Sequence, residues 1–257
     1  MKRAMVFFDI DGTLLNEDKE LPLSTKRAVK SLKKAGHEVA IATGRAPYFF
    51  KDLLEELQIE SYVCFNGQLV VYKGETIYRN SLDAEELDRL ESFASKQEHP
   101  LVFMSEDGFQ ANAKDHPHIQ ESIETLKIDL PGHDPDFYKY QELCQCLLFC
   151  TEDEEQEYRR QFTKLRFVRW HPLSTDILPH DGSKANGIQQ FIEKAGVSKD
   201  QVYAFGDQLN DMEMLAFAKH GVAMGNAPDV VKEKANYVTK HVNDDGIEHG
   251  LKMVGLL

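Results

Sequence analysis

Ala4-Met5-Val6-Phe7-Phe8-Asp9-Ile10-Asp11-Gly12-Thr13-Leu14-Leu15 is an apolar run that ends in two acids and a glycine. A short apolar stretch closed by turn residues reads as a buried strand, here over 4–10. In an open parallel sheet, ligands gather at the carboxyl ends of the strands. Asp9 and Asp11 stand at such an end. Residues two apart share a face of a continuing strand, so the two carboxylates would lie together and repel. A cation or a proton between them relieves that cost. Mg²⁺ takes oxygen ligands and accepts a site of few carboxylates completed by substrate phosphate. The plainer reading of Asp11-Gly12 is a turn after an edge strand.

Outward from this stretch, strand and helix alternate. The pattern predicts a helix over 21–35 with Ser24 as N-cap and Gly36 closing it. A strand over 38–42 follows, then a helix over 47–57 started by Pro47, and a strand over 62–65. Asn66-Gly67 and Lys73-Gly74 are turn signals around a strand at 69–72. After residue 181 the alternation returns. Helices are expected over 184–195, 212–219, 228–235 and 246–254, and strands over 202–205, 222–224 and 237–238. This is the pattern of an α/β, doubly wound, Rossmann-like parallel-sheet core.

The middle of the chain has another texture. Helices are expected over 82–97 (capped by Asp83), 118–126 and 154–165. Strands are expected over 101–104, 109–113, 144–150, 166–170 and 175–178. Hairpins mixed with helices predict an inserted α+β domain. The expected organisation is therefore a core of residues 1–81 and 181–257, interrupted by a domain of residues 82–180.

The chain has 257 residues, 42% hydrophobic and 28% charged, the balance of an ordinary globular protein. Its net charge is -13, which argues against nucleic acid as a partner. Residues 81–182 hold 22 acidic and 10 basic side chains, so most of the excess sits on the insert. No apolar run approaches the roughly 20 residues that cross a bilayer, so no membrane partner is expected. The apolar stretch at the start is cut short by Asp9. No targeting segment is read there, and a cytoplasmic location is expected. Cys144, Cys146 and Cys150 alternate with Leu148 along one strand. They read as small apolar packing residues, because no second ligand pair at zinc spacing accompanies them.

Three further stretches carry chemistry. Gly206-Asp207-Gln208-Leu209-Asn210-Asp211 brings two more acids to a second strand end. Asp207 or Asp211 could complete the metal site opened by Asp9 and Asp11, while Asn210 or Asp211 could instead cap the helix at Met212. Thr43-Gly44-Arg45 offers a hydroxyl and free N–H groups at a helix start, which suit a phosphate. Lys184, also at a helix start, would be a point charge for phosphate, although such a lysine alone is usually a solvated one.

Taken in chain order, the four sets resemble the haloacid dehalogenase-like superfamily. The likeness is to its Cof-type sugar-phosphatase branch with an α/β (C2-type) cap, and it spans nearly the whole chain. Asn66-Gly67, Met224-Gly225-Asn226-Ala227 and Asp245-Gly246-Ile247 also look like this branch. Lys184-Ala185-Asn186-Gly187 departs from the pattern, since many members place Gly directly after the Lys. The resemblance implies that Asp9 attacks phosphorus and forms an aspartyl-phosphate. It implies that Asp11 protonates the leaving alkoxide and then deprotonates water. Mg²⁺ would be held by Asp9, the backbone carbonyl of Asp11 and Asp207, with Asp211 behind them. Thr43, Gly44, Lys184, Asn210 and the Ile10 backbone amide would bind the phosphoryl group. Arg45 is a candidate for substrate contact, a better one than His116, His118, His133, His171 and His180 of the insert. Trp170 is expected in the core.

The expected activity is Mg²⁺-dependent hydrolysis of small phosphorylated metabolites, sugar phosphates first among them. Asp11 favours ester chemistry over dehalogenation, because only an alkoxide needs a proton. A phosphomutase, or a sugar-phosphate-binding regulatory protein without turnover, remains an alternative.

Overall fold

The computed structural model describes residues 3–257; Met1 and Lys2, and with them the first two residues of the expected core, lie outside the described residues. The chain divides into two compact units. One comprises residues up to Arg45, Phe50–Tyr78 and Ser183–Leu257; the other comprises Ala46–Phe49 and Arg79–Gly182.

The first unit opens with strand β1 (Met5–Phe8), helix α1 (Leu23–Lys34), β2 (Glu38–Ala42), α2 (Lys51–Leu57), β3 (Tyr62–Cys64), β4 (Leu69–Tyr72) and β5 (Glu75–Arg79). The second unit supplies α3 (Ala84–Lys96), β6 (Leu101–Met104), β7 (Phe109–Ala111), α4 (Pro117–Glu124), β8 (Gly132–His133), α5 (Phe137–Tyr140), β9 (Gln145–Leu148), α6 (Glu152–Gln161), β10 (Leu165–His171) and β11 (Ser174–Pro179). The first unit then resumes with α7 (Lys184–Ala195), β12 (Val202–Gly206), α8 (Met212–Phe217), β13 (His220–Ala223), α9 (Asp229–Lys232), β14 (Tyr237–Val238) and α10 (Gly246–Met253).

The first unit is built on an eight-stranded sheet of order β14-β13-β12-β1-β2-β3-β4-β5. From β14 to β3 every pairing is parallel, and β4 turns back antiparallel on β3. The order reverses beside β1, where β12 joins on one flank and β2 on the other. Such a switch point opens a crevice at the carboxyl ends of the strands. Both faces of β1 are covered. Phe7 meets Phe191 of α7 edge-on at 5.1 Å, and Phe8 meets Phe205 of β12 at 5.0 Å. Gly250 of α10 lies against Phe205 on that second face. Each fully buried Phe contributes roughly 1.5–3 kcal/mol relative to exposure. That burial on two sides explains why β1 is an unbroken apolar run.

Three local expectations are corrected. Ser24 does not cap α1: the helix starts at Leu23 behind Pro22, and Ser24 is buried inside it. Pro47 starts a 3₁₀ turn over Pro47–Phe49, and the α-helix proper begins at Lys51. Asp211 does stand at the N-cap of the helix of Met212, but its side chain makes no capping bond there and is used elsewhere, as described below.

The second unit holds a six-stranded sheet of order β10-β11-β9-β6-β7-β8, antiparallel except where β8 joins β7. One face carries Leu101, Phe103, Cys146, Leu148 and Ile177 against Leu87, Leu90, Tyr158 and Phe162 of α3 and α6 and the turn after it. β8 and α5 were not expected, being too short to show a period. Residues 165 and 166, expected at a helix end and a strand start, both lie in β10, because α6 stops at Gln161. Trp170 is half-buried at the end of β10 rather than in the core. The four cysteines are buried and not disulfide-bonded. Burial pushes the Cys144 thiol up to about 12 and the Cys150 thiol up to about 11. Of the histidines, the His116 side chain caps α4, His171 bonds Ser122, His118 is half-buried, and His133 and His180 are exposed. Among the described residues, no helix is long and apolar enough to cross a membrane.

Candidate active site

β1 ends at Phe8 and hands the chain to Asp9, whose N–H still donates to Phe205 of β12 at 3.0 Å. Asp9 therefore remains pinned to the sheet and is 4% exposed. β12 delivers Asp207 beside it, through the parallel register that pairs Phe8 with Phe205. Lys184, the first residue of α7, reaches in from the next element. Its Nζ lies 2.6 Å from Asp9 Oδ1 and 2.6 Å from Asp211 Oδ1. Far from being solvated, this lysine is 1% exposed. The departure at Ala185-Asn186-Gly187 leaves the helix start intact, because Ser183 accepts from the N–H of Asn186 at 3.1 Å and caps it.

Asp211 braces the loop after β12. Its Oδ2 accepts from the N–H groups of Asp207 and Gln208 at 2.8 and 2.9 Å, while Oδ1 takes Lys184. Asp207 accepts from Thr13 Oγ1 at 2.9 Å, Gln208 Nε2 at 3.1 Å and Asn226 Nδ2 at 3.2 Å. Asn226 also donates to the carbonyl of Gly12 and accepts from the N–H of Val242. It thus ties the first acidic loop to the last loops of the sheet.

Oxygens of Asp9, Asp207 and Asp211 all lie within 4.8 Å of one another, and all three residues are buried. Three carboxylates face one ammonium, which leaves an excess of negative charge out of water. Burial and the neighbouring acids, Asp211 foremost, hold the Asp9 carboxyl well above the usual carboxylate range against the pull of Lys184. The same two causes push Asp207 up to about 7. Lys184 is held above its ordinary value, because the two carboxylates outweigh the cost of its burial. An all-oxygen, over-negative pocket of this kind fits a hard divalent cation.

Asp11 is turned to other partners. Arg45 grips it bidentately, Nε to Oδ2 at 2.7 Å and Nη2 to Oδ1 at 2.6 Å, and Lys19 Nζ adds a third donor at 2.6 Å from Oδ1. Burial alone would raise this carboxyl, but the two cations outweigh it and hold it below the usual range. Thr43 is buried at the end of β2, and its Oγ1 accepts from the N–H of Arg45, which leaves the hydroxyl hydrogen able to donate. The Ile10 carbonyl accepts from Thr13 and Leu15, folding the loop back over the strand end. Asn210 Nδ2 donates to Asn66 Oδ1 at 3.0 Å.

Thr43, Gly44, Asn210, Lys184 and the four acids of the two motif loops thus sit on loops at the carboxyl ends of adjacent strands and at one helix start. Sequence reasoning gave no role to Thr13, Lys19, Asn66, Gln208 or Asn226. Thr13, Asn66 and Asn226 stood within quoted motifs, and Gln208 between two acids. Nothing local marked Lys19.

The sequence model of the haloacid dehalogenase-like hydrolases matches residues 6–251. A Bacillus subtilis (strain 168) protein named "Putative phosphatase YkrA" is 48% identical over all of both chains. A crystal structure of a hypothetical protein from Geobacillus kaustophilus HTA426 superposes with a TM-score of 0.93 at 52% identity, covering 99% of this chain and 100% of that one. The structure titled as the HAD subclass IIB sugar phosphatase BT4131 superposes with a TM-score of 0.89 at 30% identity, again covering 99% and 100%. The chain belongs to the haloacid dehalogenase-like hydrolases, in their Cof-type branch, and is a phosphatase.

Proposed function

We propose that the protein is a Mg²⁺-dependent phosphatase of small phosphorylated metabolites, chiefly sugar phosphates, working through an aspartyl-phosphate. The observation that carries this is Asp9: a buried carboxylate at the end of the central strand, beside Lys184 and within the acidic group of Asp207 and Asp211. Asp9, the Asp11 carbonyl and Asp207 would hold the ion. Asp211 already spends both oxygens on Lys184 and on backbone N–H groups, which suits a bracing role. Bound there, Mg²⁺ offsets negative charge between the acids and the incoming phosphate and polarises the phosphoryl group.

An Asp9 oxygen attacks phosphorus, and the bond from phosphorus to the ester oxygen breaks. Asp11 gives its proton to the departing oxygen. Water then attacks the aspartyl-phosphate, Asp11 takes the proton, and phosphate leaves with the Asp9 carboxylate restored. Lys184, Thr43, Asn210 and the backbone amides of Ile10 and Gly44 offset the charge on the equatorial oxygens. The grip of Arg45 and Lys19 on Asp11 keeps it ionised, the form its base task requires. Its acid task requires the proton, so substrate must loosen that grip first. Arg45 would exchange Asp11 for the substrate. Selectivity would reside in residues 82–180, and the enzyme would act in the cytoplasm. The sugar-phosphate class is supported by the name of the BT4131 relative.

The test is phosphate release from a panel of phosphorylated metabolites, with Mg²⁺ and with chelator, for wild type and Asp9→Asn. Release that needs both Mg²⁺ and Asp9 is the expected result. An isomerised ester in place of free phosphate would identify a mutase and overturn the proposal.

A further inference from the structure

Three consecutive residues between β3 and β4 adopt the left-handed conformation: Phe65 with φ 49°, Asn66 with φ 52° and Gly67 with φ 98°. Only Gly does so without cost; two L-residues in series store backbone strain. Such strain persists only where the surroundings over-determine it, and here they do. The N–H of Phe65 donates to the Arg45 carbonyl at 3.1 Å, and the N–H of Asn66 donates to the Thr43 carbonyl at 3.0 Å. The turn thereby fixes both ends of Thr43-Gly44-Arg45. On its other side, Gly67 lies against the helix that carries Lys184: a Cβ on Gly67 would fall 1.9 Å from the Ser183 carbonyl oxygen. No other residue fits there.

The Asn66 side chain completes the arrangement. It is buried, and its Oδ1 receives Asn210 Nδ2 at 3.0 Å. Its amide lies so close to the bare Cα of Gly44 that a Cβ there would stand 3.0 Å from both amide atoms. One side chain therefore sits against Gly44 and holds Asn210, groups from two separate loops.

We infer that Asn66 is a positioning residue for phosphate: its left-handed backbone and its amide set Thr43, Gly44 and Asn210 in one arrangement around the phosphoryl oxygens. This rests on the phosphatase reading above, and it adds a residue that touches none of the reacting atoms. Misplacing such donors is expensive, because a site of this kind works by preorganisation.

The experiment compares Asn66→Gly with wild type. Glycine keeps the left-handed turn and deletes only the amide, so the variant is expected to fold. Asn66→Ala, which also strains the backbone, serves as the contrast. Binding of inorganic phosphate with Mg²⁺ present is read by calorimetry, and KM and kcat are read on a working substrate. Asn66→Gly is expected to weaken phosphate binding and kcat/KM by about tenfold or more, with Tm within a few degrees of wild type. In an Asn210→Ala background the same substitution is expected to cost clearly less, because part of its effect runs through Asn210. Phosphate binding and kcat/KM within twofold of wild type would overturn the inference. So would an equal loss in both backgrounds. A wild type that binds phosphate but hydrolyses no ester would refute the phosphatase reading, and the binding comparison would still decide the role of Asn66. A wild type that neither binds nor hydrolyses would overturn both.

Discussion

Lys19 holds the carboxylate of Asp11, Nζ to Oδ1 at 2.6 Å, from a backbone position with φ 63°. The loop around it is closed on itself: the N–H of Lys19 donates to the Asn16 carbonyl, and Asn16 Oδ1 accepts from the N–H of Glu20. A left-handed site would take Gly more cheaply, so the side chain is the reason for a lysine here. With Arg45 it makes Asp11 a carboxylate with two cations. We expect Lys19→Met to slow hydrolysis of the aspartyl-phosphate, where Asp11 acts as the base, by roughly 10- to 100-fold, within the range of general acid–base effects. That step follows departure of the leaving group, so alkyl and aryl phosphates should lose alike, and Lys19→Arg should recover most of the loss. Single-turnover kinetics on paired substrates checks this. A loss confined to alkyl phosphates would show that Lys19 serves the acid task of Asp11 instead.

Among the described residues, Lys184 is the one ammonium bonded to two of the three buried acids. Removing one partner of a buried ion pair typically costs about 3–5 kcal/mol, because the charge left behind is unpaired. Lys184→Met should therefore destabilise the metal-free protein by that order in urea unfolding. Adding Mg²⁺ should return more stability to the variant than to wild type, since the ion takes over the missing positive charge. A variant as stable as wild type in chelator would mean that the carboxylates are already neutralised by protons.

Most of the frame was legible in the sequence because each part of it is local. A strand buried on two faces is an apolar run, and an acid after such a run marks the end of a strand. Asp9 and Asp207 were placed directly after strand ends in this way. What escaped depends on contacts between distant residues. Lys184 looks solvated until α7 is packed on the sheet. The partnership of Arg45 with Asp11, 34 positions away, leaves no local trace. Asp211 has a cap's chemistry but turns it back on Asp207 and Gln208 rather than on the following helix. Ser24 failed as a cap because Pro22 had already started the helix. Trp170 is large and apolar, yet it stands at a strand end where the core has run out.

The cysteines offer a simple check on the second unit. Cys144-Gln-Cys146 has the look of half a metal site, yet Cys146 lies in the apolar core and both thiols are pushed up by burial. A thiol held in that form is a poor nucleophile and a poor metal ligand. Ellman's reagent at pH 8 should therefore titrate fewer than one thiol per native chain and all four after denaturation. Rapid reaction of two thiols in the folded protein, suppressed by zinc, would restore the metal reading.

Asp207 gives the metal-free protein a pH dependence of unusual sign. Its carboxyl is held near 7 in the folded chain, above the ordinary 3.8, by burial first and Asp211 second. Between those two values the folded state binds the extra proton, so stability must fall as pH rises. Its contribution is complete below about pH 4 and is lost as pH rises through 7. Asp9, also held high, adds to this slope. Asp11 acts oppositely, since its depressed carboxyl contributes above the ordinary range and is lost only in acid. In chelator, then, urea unfolding of wild type should show stability declining from pH 5 to pH 8, and Asp207→Asn should flatten the decline. Mg²⁺ competes with the proton for the same oxygens, so it should raise Tm more at pH 8 than at pH 6. In Asp207→Asn that gain should shrink at both values. A wild type whose metal-free stability rises from pH 5 to pH 8, with Mg²⁺ adding the same increment throughout, would show that Asp207 is ionised without its metal and that another group neutralises it.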